Sequence, residues 1–284
     1  SYLQISPVAQ LAQNGYLQGT YAKIENDETS NAYSASDDFR YAPTNTHFDE
    51  ANLYYHIDKY RANYFNGLGF NEFTQITAHA HHDFFDADSN PSPNAAYNPS
   101  NHHLWFSDGQ GVPGYNSFAK EDKIIYHEYT HAVTDYVADL DRGFTESGAI
   151  NEGNSDYFAS SFTGRTSIVD YAAPSLQRNI TDPSIENYTQ YNSSQYYQPH
   201  PIYEPHLGGE LWSACLWDLR GEITPSAADQ IIFDGLYAIP TYSSFLQYRE
   251  AIIDADMDNN DGYNVDYIMH TFYLRGIGVD ATSK

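Results

Sequence analysis

The sequence predicts an α+β protein in two lobes, because strand signals crowd its first half, helical periodicity fills its second, and one long helix bearing paired histidines joins them. Alternating residues mark strands at Tyr16–Ile24 and Phe73–His82, with a shorter one at His102–Ser107. Between the first two, Leu53, Ile57, Tyr60 and Tyr64 recur at helical spacing, with acids before them and Gly67 after. The joining helix is expected from about Ser117 to Leu140. Beyond it the strand signals fade, and helices are expected over residues 147–162, 207–221, 241–256 and 264–275. The lobes are accordingly placed at 1–137 and 138–284. Segments 25–45 and 182–205, rich in Asn, Ser, Tyr and Pro, read as surface loops, and no internal repeat is seen.

The joining helix carries His127-Glu128-Tyr129-Thr130-His131. Residues four apart share a helix face, so His127 and His131 can offer two imidazoles to one Zn²⁺. Glu128 then stands beside the metal, where a carboxylate can take a proton from a zinc-bound water, which is why HExxH reads as a metallopeptidase pattern. Five residues do not decide it, and a catalytic zinc needs a third protein ligand from another element. Downstream, residues 146–156 read as the start of a second helix with Glu152 and Asp156 four apart on one face.

HEYTHAVTDY at 127–136 together with SGAINEGNSD at 147–156 resembles the thermolysin family of secreted zinc endopeptidases. The resemblance extends to Asn94-Ala95-Ala96-Tyr97, to Arg178-Asn179-Ile180-Thr181-Asp182-Pro183, and to residues 240–276. The helix around Phe48–His56 and the run from His206 to Trp212 look closer to the fungalysin branch of the same zincin group. The resemblance implies a two-lobed zincin fold with the zinc helix at the floor of the cleft. It implies Zn²⁺ on His127, His131 and Glu152, with Asp156 orienting a liganding histidine and Glu128 as the base. It further implies an oxyanion-stabilising histidine at His206, with His200 as a nearby competitor, and an extended peptide held by Asn94, the Ala95 backbone and Arg178. A secreted monomer acting on proteins and peptides follows, released from its own propeptide; Ser1 in place of a methionine fits such processing.

Composition agrees and excludes several classes. A formal charge of −25 over 284 residues disfavours nucleic acid and anionic membranes as partners and favours solubility, with salt tolerance as a further expectation. No apolar run reaches the roughly 20 residues of a membrane span, and no signal peptide is visible. Cys215 is the lone cysteine, so it supplies neither a disulfide nor a cysteine zinc site and reads as a buried thiol. A serine hydrolase is disfavoured by the lack of G-x-S-x-G. A related zinc aminopeptidase would need an amine-anchoring Gly-x-Met-Glu-Asn motif, which neither Met257 nor Met269 lies in. Glu128 argues against an inert peptide-binding relative, which needs no base there.

Two departures from the family matter. Its double calcium site places an acid one helical turn before the first zinc histidine and several more after the second zinc helix. Here those positions read Lys123 and Thr163, so the double site is expected to be absent. Gln177 stands where an apolar wall of the specificity pocket is expected, although Ile124 remains apolar. Calcium elsewhere is left open at residues 254–262, an acidic run resembling a calcium loop but lacking its central glycine and distal glutamate. His79, His81, His82, His102 and His103 cluster near strands, but alternation throws neighbours to opposite faces, and no metal is assigned to them. Asn179, Asn187 and Asn192 begin glycosylation sequons.

Overall fold

A computed structural model describes residues 3–5, 11–182 and 205–280. The chain divides into two compact units, Ser1–Ala132 with Ile168–Gln177, and Val133–Ser167 with Arg178–Lys284.

In the first unit, β1 (Leu3–Ile5) pairs antiparallel with β3 (Phe39–Tyr41). A four-stranded sheet has the order β2 (Ala22–Asn26), β4 (Ile76–Ala80), β6 (His103–Phe106), β5 (Ala95–Asn98). The first three run parallel and β5 closes the edge antiparallel, with Ala95 opposite Phe106. Helix α1 (His47–Tyr60) continues into a π-helical turn at Arg61–Phe65. Its Leu53, Tyr54, Ile57 and Tyr60 are fully buried. The strand expected at Tyr16–Ile24 forms only from Ala22 onward. Gly15 (φ +80°) and a tight turn in which Gly19 N–H bonds to the Ala22 carbonyl replace the earlier ladder, leaving isolated bridges such as Gln18 to Lys23. Leu17, Ala22 and Ile24 are buried, but the buried face shifts from odd to even positions across the turn, so one continuous alternating strand does not describe the segment.

Helix α2 (Asp122–Ala138) follows a 3₁₀ turn at Phe118–Lys120. It is one unbroken helix, shorter at both ends than expected. Phe118 and Ala119 are buried in the preceding turn. α1 grips α2 through polar as well as apolar contacts: His56 Nδ1 lies 2.6 Å from the Tyr126 hydroxyl and Tyr60 Oη lies 3.1 Å from Thr130 Oγ1. The Tyr60 and Tyr126 rings pack 4.5 Å apart. These contacts fix the rotation of α2 and thereby the direction in which its histidines point.

The second unit is helical: α3 (Glu146–Thr163), α4 (Pro205–Glu222), α5 (Pro225–Leu236), α6 (Phe245–Asn260) and α7 (Val265–Leu274). Two short strands, β7 (Ser167–Ile168) and β8 (Arg178–Asn179), pair with each other. α3 starts on Thr145, whose side chain accepts from Gly148 N–H, and ends at left-handed Gly164. α6 starts on a reciprocal Ser244–Gln247 capping box. α5 lies outside the expected set. Its signals are the Thr224 cap and Pro225 at the first helical position, ahead of buried Ile231, Ile232 and Leu236. The core centres on Trp212, stacked 5.1 Å from Phe245 and 5.2 Å from Tyr248, with its indole N–H donated to Asn154 Oδ1 at 2.9 Å. Truncating such an aromatic costs roughly 3–5 kcal/mol. Cys215 is buried in α4, and burial, reinforced by Asp218, pushes its thiol above the ordinary range.

The acidic run at residues 254–262 is helical through Asn260, where α6 ends. Asp261 then turns left-handed, and buried Asp256 accepts from Asn260 Nδ2, Asn264 N–H and Asn264 Nδ2. That carboxylate caps a turn. Of the other expectations, His200, Asn187 and Asn192 lie outside the described residues. Among those described, no helix is long and apolar enough to cross a membrane.

Candidate metal centre

His127 and His131 lie one turn apart on α2, both buried, with their Nε2 atoms 3.0 Å apart. Together with a carboxylate oxygen of Glu152 on α3, these nitrogens form a group whose ligand atoms all lie within 4.8 Å of one another. Two donors on a tetrahedral zinc at about 2.1 Å stand about 3.4 Å apart, so two imidazoles and one carboxylate at this spacing fit a Zn²⁺ ion. Glu128, the next residue on α2, is also buried.

Glu152 is shaped by its surroundings in the second unit. His206, in the first turn of α4, brings Nε2 to 3.4 Å from Glu152 Oε2 while its own side chain stays 52 % exposed. Asp156, one turn along α3, gives both oxygens to Arg178 of β8, from Nε at 2.5 Å and Nη2 at 2.7 Å. Burial works against the Arg178 charge, yet Asp156, followed by Glu152 and Glu210, outweighs it and raises the guanidinium pKa further. Arg178 was expected to reach for substrate carbonyls. Its fork is instead closed on Asp156 on one side, leaving Nη1 as the arm not committed to that pair.

On the first unit, Ala95 opens β5 at the sheet edge, and Asn94 just before it accepts at its carbonyl from Ser107 N–H at 2.9 Å. Only an edge strand leaves backbone groups for an added extended segment. Gln177 is exposed and donates Nε2 to Asp170 Oδ1 at 3.0 Å, while Ile124 is buried.

Where calcium would have met an acid, Lys123 is fully buried with Nζ 3.8 Å from Asp170 Oδ2. Glu121 gathers the same segment, accepting from the N–H groups of Asp170, Tyr171 and Ala172 at 2.8–3.0 Å. Thr163 turns its hydroxyl back to the Ala159 carbonyl. Sequence reading did not single out Glu121. Its acidity just before α2 was the available signal, but the loop it holds lies some fifty residues away.

An HExxH helix, a glutamate on the following helix and an α+β scaffold define the class of thermolysin-like zinc metalloproteases. Within it, the chain belongs to the fungalysin (M36) metallopeptidase family, whose model matches residues 112–281. It is 29 % identical over 198 residues to Extracellular metalloproteinase 4 of Trichophyton rubrum, covering 57 % of this chain and 30 % of that protein. Against the enzyme of the same name from Trichophyton soudanense, 29 % identity covers 57 % of this chain and 50 % of the relative. The chain thus spans half or less of the length of these relatives. The fold is similar to that of the precursor of protealysin, a metalloproteinase from Serratia proteamaculans, with a TM-score of 0.69 at 16 % identity over 91 % of this chain and 88 % of that one.

Proposed function

We propose that this chain is the catalytic part of a secreted zinc endopeptidase that hydrolyses internal peptide bonds of proteins. The observation that carries the reading is the convergence of His127, His131 and Glu152, with buried Glu128 next to His127 on the same helix. A zinc ion held by these three residues would supply Lewis-acid polarisation of the scissile carbonyl and make a nearby water acidic.

The protein's own groups do the rest. Glu128 takes a proton from the attacking water and later delivers it to the leaving amine. His206 donates to the oxyanion that develops on the carbonyl, and its exposed side chain at the start of α4 suits a residue that meets substrate. Asp156 orients a liganding histidine, and its two hydrogen bonds from Arg178 hold it in place. Asn94 and the Ala95 backbone hold the peptide as an added strand, with Arg178 Nη1 available to a substrate carbonyl. Gln177 in place of an apolar wall weakens the family's preference for a bulky apolar residue after the cut, while Ile124 keeps part of the pocket apolar.

In this reading the enzyme is an extracellular monomer, matured from its own propeptide, with Lys123 standing in for the double calcium site. A charge of −25 keeps it from nucleic acid and anionic membranes. The test is to digest an unfolded protein with the zinc-loaded chain and map every new terminus by mass spectrometry. Internal cuts support the proposal; stepwise loss from one end would replace it with an exopeptidase.

A further inference from the structure

The sheet of the first unit has a second convergence of ligand-type side chains. Strands β2, β4 and β6 are parallel neighbours, and each is followed within two residues by a metal-ligating type: Glu28 after Asn26, His81 after Ala80, Asp108 after Phe106. One ligand atom from each lies within 4.8 Å of the others. The carboxyl ends of adjacent parallel strands are where open sheets bind ligands.

His81 shows what this place lacks. The residue is 8 % exposed, and its Nε2 lies 3.1 Å from the Thr46 carbonyl oxygen. A carbonyl only accepts, so Nε2 carries a hydrogen there, and Nδ1 is the ring nitrogen left to face the carboxylates. That Nδ1 is buried without a hydrogen-bond partner and faces Asp108 Oδ2 at 3.5 Å. A lone pair turned toward carboxylates is repulsive unless a cation sits between them. The 3.5 Å between His81 Nδ1 and Asp108 Oδ2 is close to the roughly 3.4 Å between two donors on one tetrahedral ion. Anchoring the distal ring nitrogen on a backbone carbonyl is also how proteins fix a metal-binding histidine. The nearby Asp49 does not answer the need, being engaged by Ser117 Oγ at 2.5 Å and Lys120 Nζ at 3.3 Å.

We propose that Glu28, His81 and Asp108 bind a second divalent transition-metal ion of the zinc type, apart from the His127–His131–Glu152 centre. An imidazole in the set favours zinc-like ions over calcium or magnesium, and two carboxylates balance the charge. This departs from the sequence reading, in which His81 held no metal. The ion would tie together the ends of three strands and hold left-handed His81 (φ +59°) in place.

The test is equilibrium dialysis of the whole chain against buffered Zn²⁺, with bound metal counted by elemental analysis in the parent, E28Q, H81N and D108N. Asparagine tolerates the left-handed backbone at position 81, and Glu28 is exposed, so neither change threatens the fold. E152Q, aimed at the other centre, makes the two sites separately countable. The proposal expects two ions in the parent, one in each of the three variants, and retention of the second ion in E152Q. A single ion in the parent that the three variants keep, or two ions in all three, would overturn it.

Discussion

Gly209 lies so close to Glu152 that a β-carbon built on it would stand 2.8 Å from the glutamate's own Cβ. On the other side, a β-carbon on Gly153 would meet the Gly209 carbonyl oxygen at 2.7 Å. The two glycines let α3 and α4 approach closely, which is what brings His206 to 3.4 Å from Glu152. Alanine at 209 is the better helix former by about 1 kcal/mol, so on propensity alone it would stabilise α4. Packing decides otherwise. G209A should displace Glu152 and weaken zinc binding by about 10–100-fold, the range seen when support behind a ligand is lost. Zinc competition against a fluorescent chelator measures it, and unchanged affinity would remove this role from the glycine pair.

Arg178 and Asp156 are a buried pair, their side chains 13 % and 2 % exposed. Removing one partner strands the other charge, so R178M should cost about 3–5 kcal/mol in urea unfolding of the chelated protein. Replacing both, with D156L added, should recover most of that loss, because the desolvation penalty disappears along with the attraction. Equal losses in the single and double variants would mean that packing, not charge, is at stake.

Lys123 Nζ lies 3.8 Å from Asp170 Oδ2, at the position where the family resemblance would place a calcium-binding acid, and the proposed function takes it to make calcium dispensable there. Thermal midpoints with calcium and with a calcium-selective chelator should therefore agree to within about 2 °C, under roughly 1 kcal/mol for a chain of this size. E121A, which leaves the N–H groups of Asp170, Tyr171 and Ala172 without their acceptor, should cost about 3 kcal/mol under either condition. A large calcium-dependent rise in the parent would contradict the substitution of cation for cation.

Acid should weaken the protein in two steps at the histidine cluster on the sheet. Burial, then neighbouring His79, hold His103 below its ordinary value of 6.5. The unfolded chain thus takes up this proton at higher pH than the folded one, and stability falls as pH drops from the ordinary value to the depressed one. At Asp27 burial acts upward, but hydrogen bonds from His79 and His82 prevail and lower it beneath 3.8. Its contribution is whole above that value and lost as pH falls through the folded one. Urea midpoints followed from neutral to acid pH should show both steps, and H103N should flatten the first alone.

The zinc helix was legible because its evidence is local: two histidines, a base and helical spacing in five residues. Glu152 was singled out one helix later through the family resemblance of its surrounding residues, not through spacing alone. α5 was missed because its start is a Thr-Pro signal rather than an apolar stripe, and the Tyr16 strand was overread because a turn after Gly19 breaks the ladder and shifts the buried positions by one. Non-local partnerships left no such trace. Glu121 holding the segment at 170–172, Asp156 closing on Arg178, and Glu28, His81 and Asp108 converging all depend on strand order and helix approach, which spacing along one chain does not encode.

In the proposed function Glu128 is the base of a zinc-dependent hydrolysis, and E128Q isolates that role because glutamine keeps the shape and removes the proton acceptor. Zinc content and the rate of cutting an internally quenched peptide should be measured on parent and variant side by side. The account predicts unchanged zinc and a rate lower by at least about 10²-fold, the low end of general-base contributions. A variant that holds zinc and cuts at the parent's rate would contradict it.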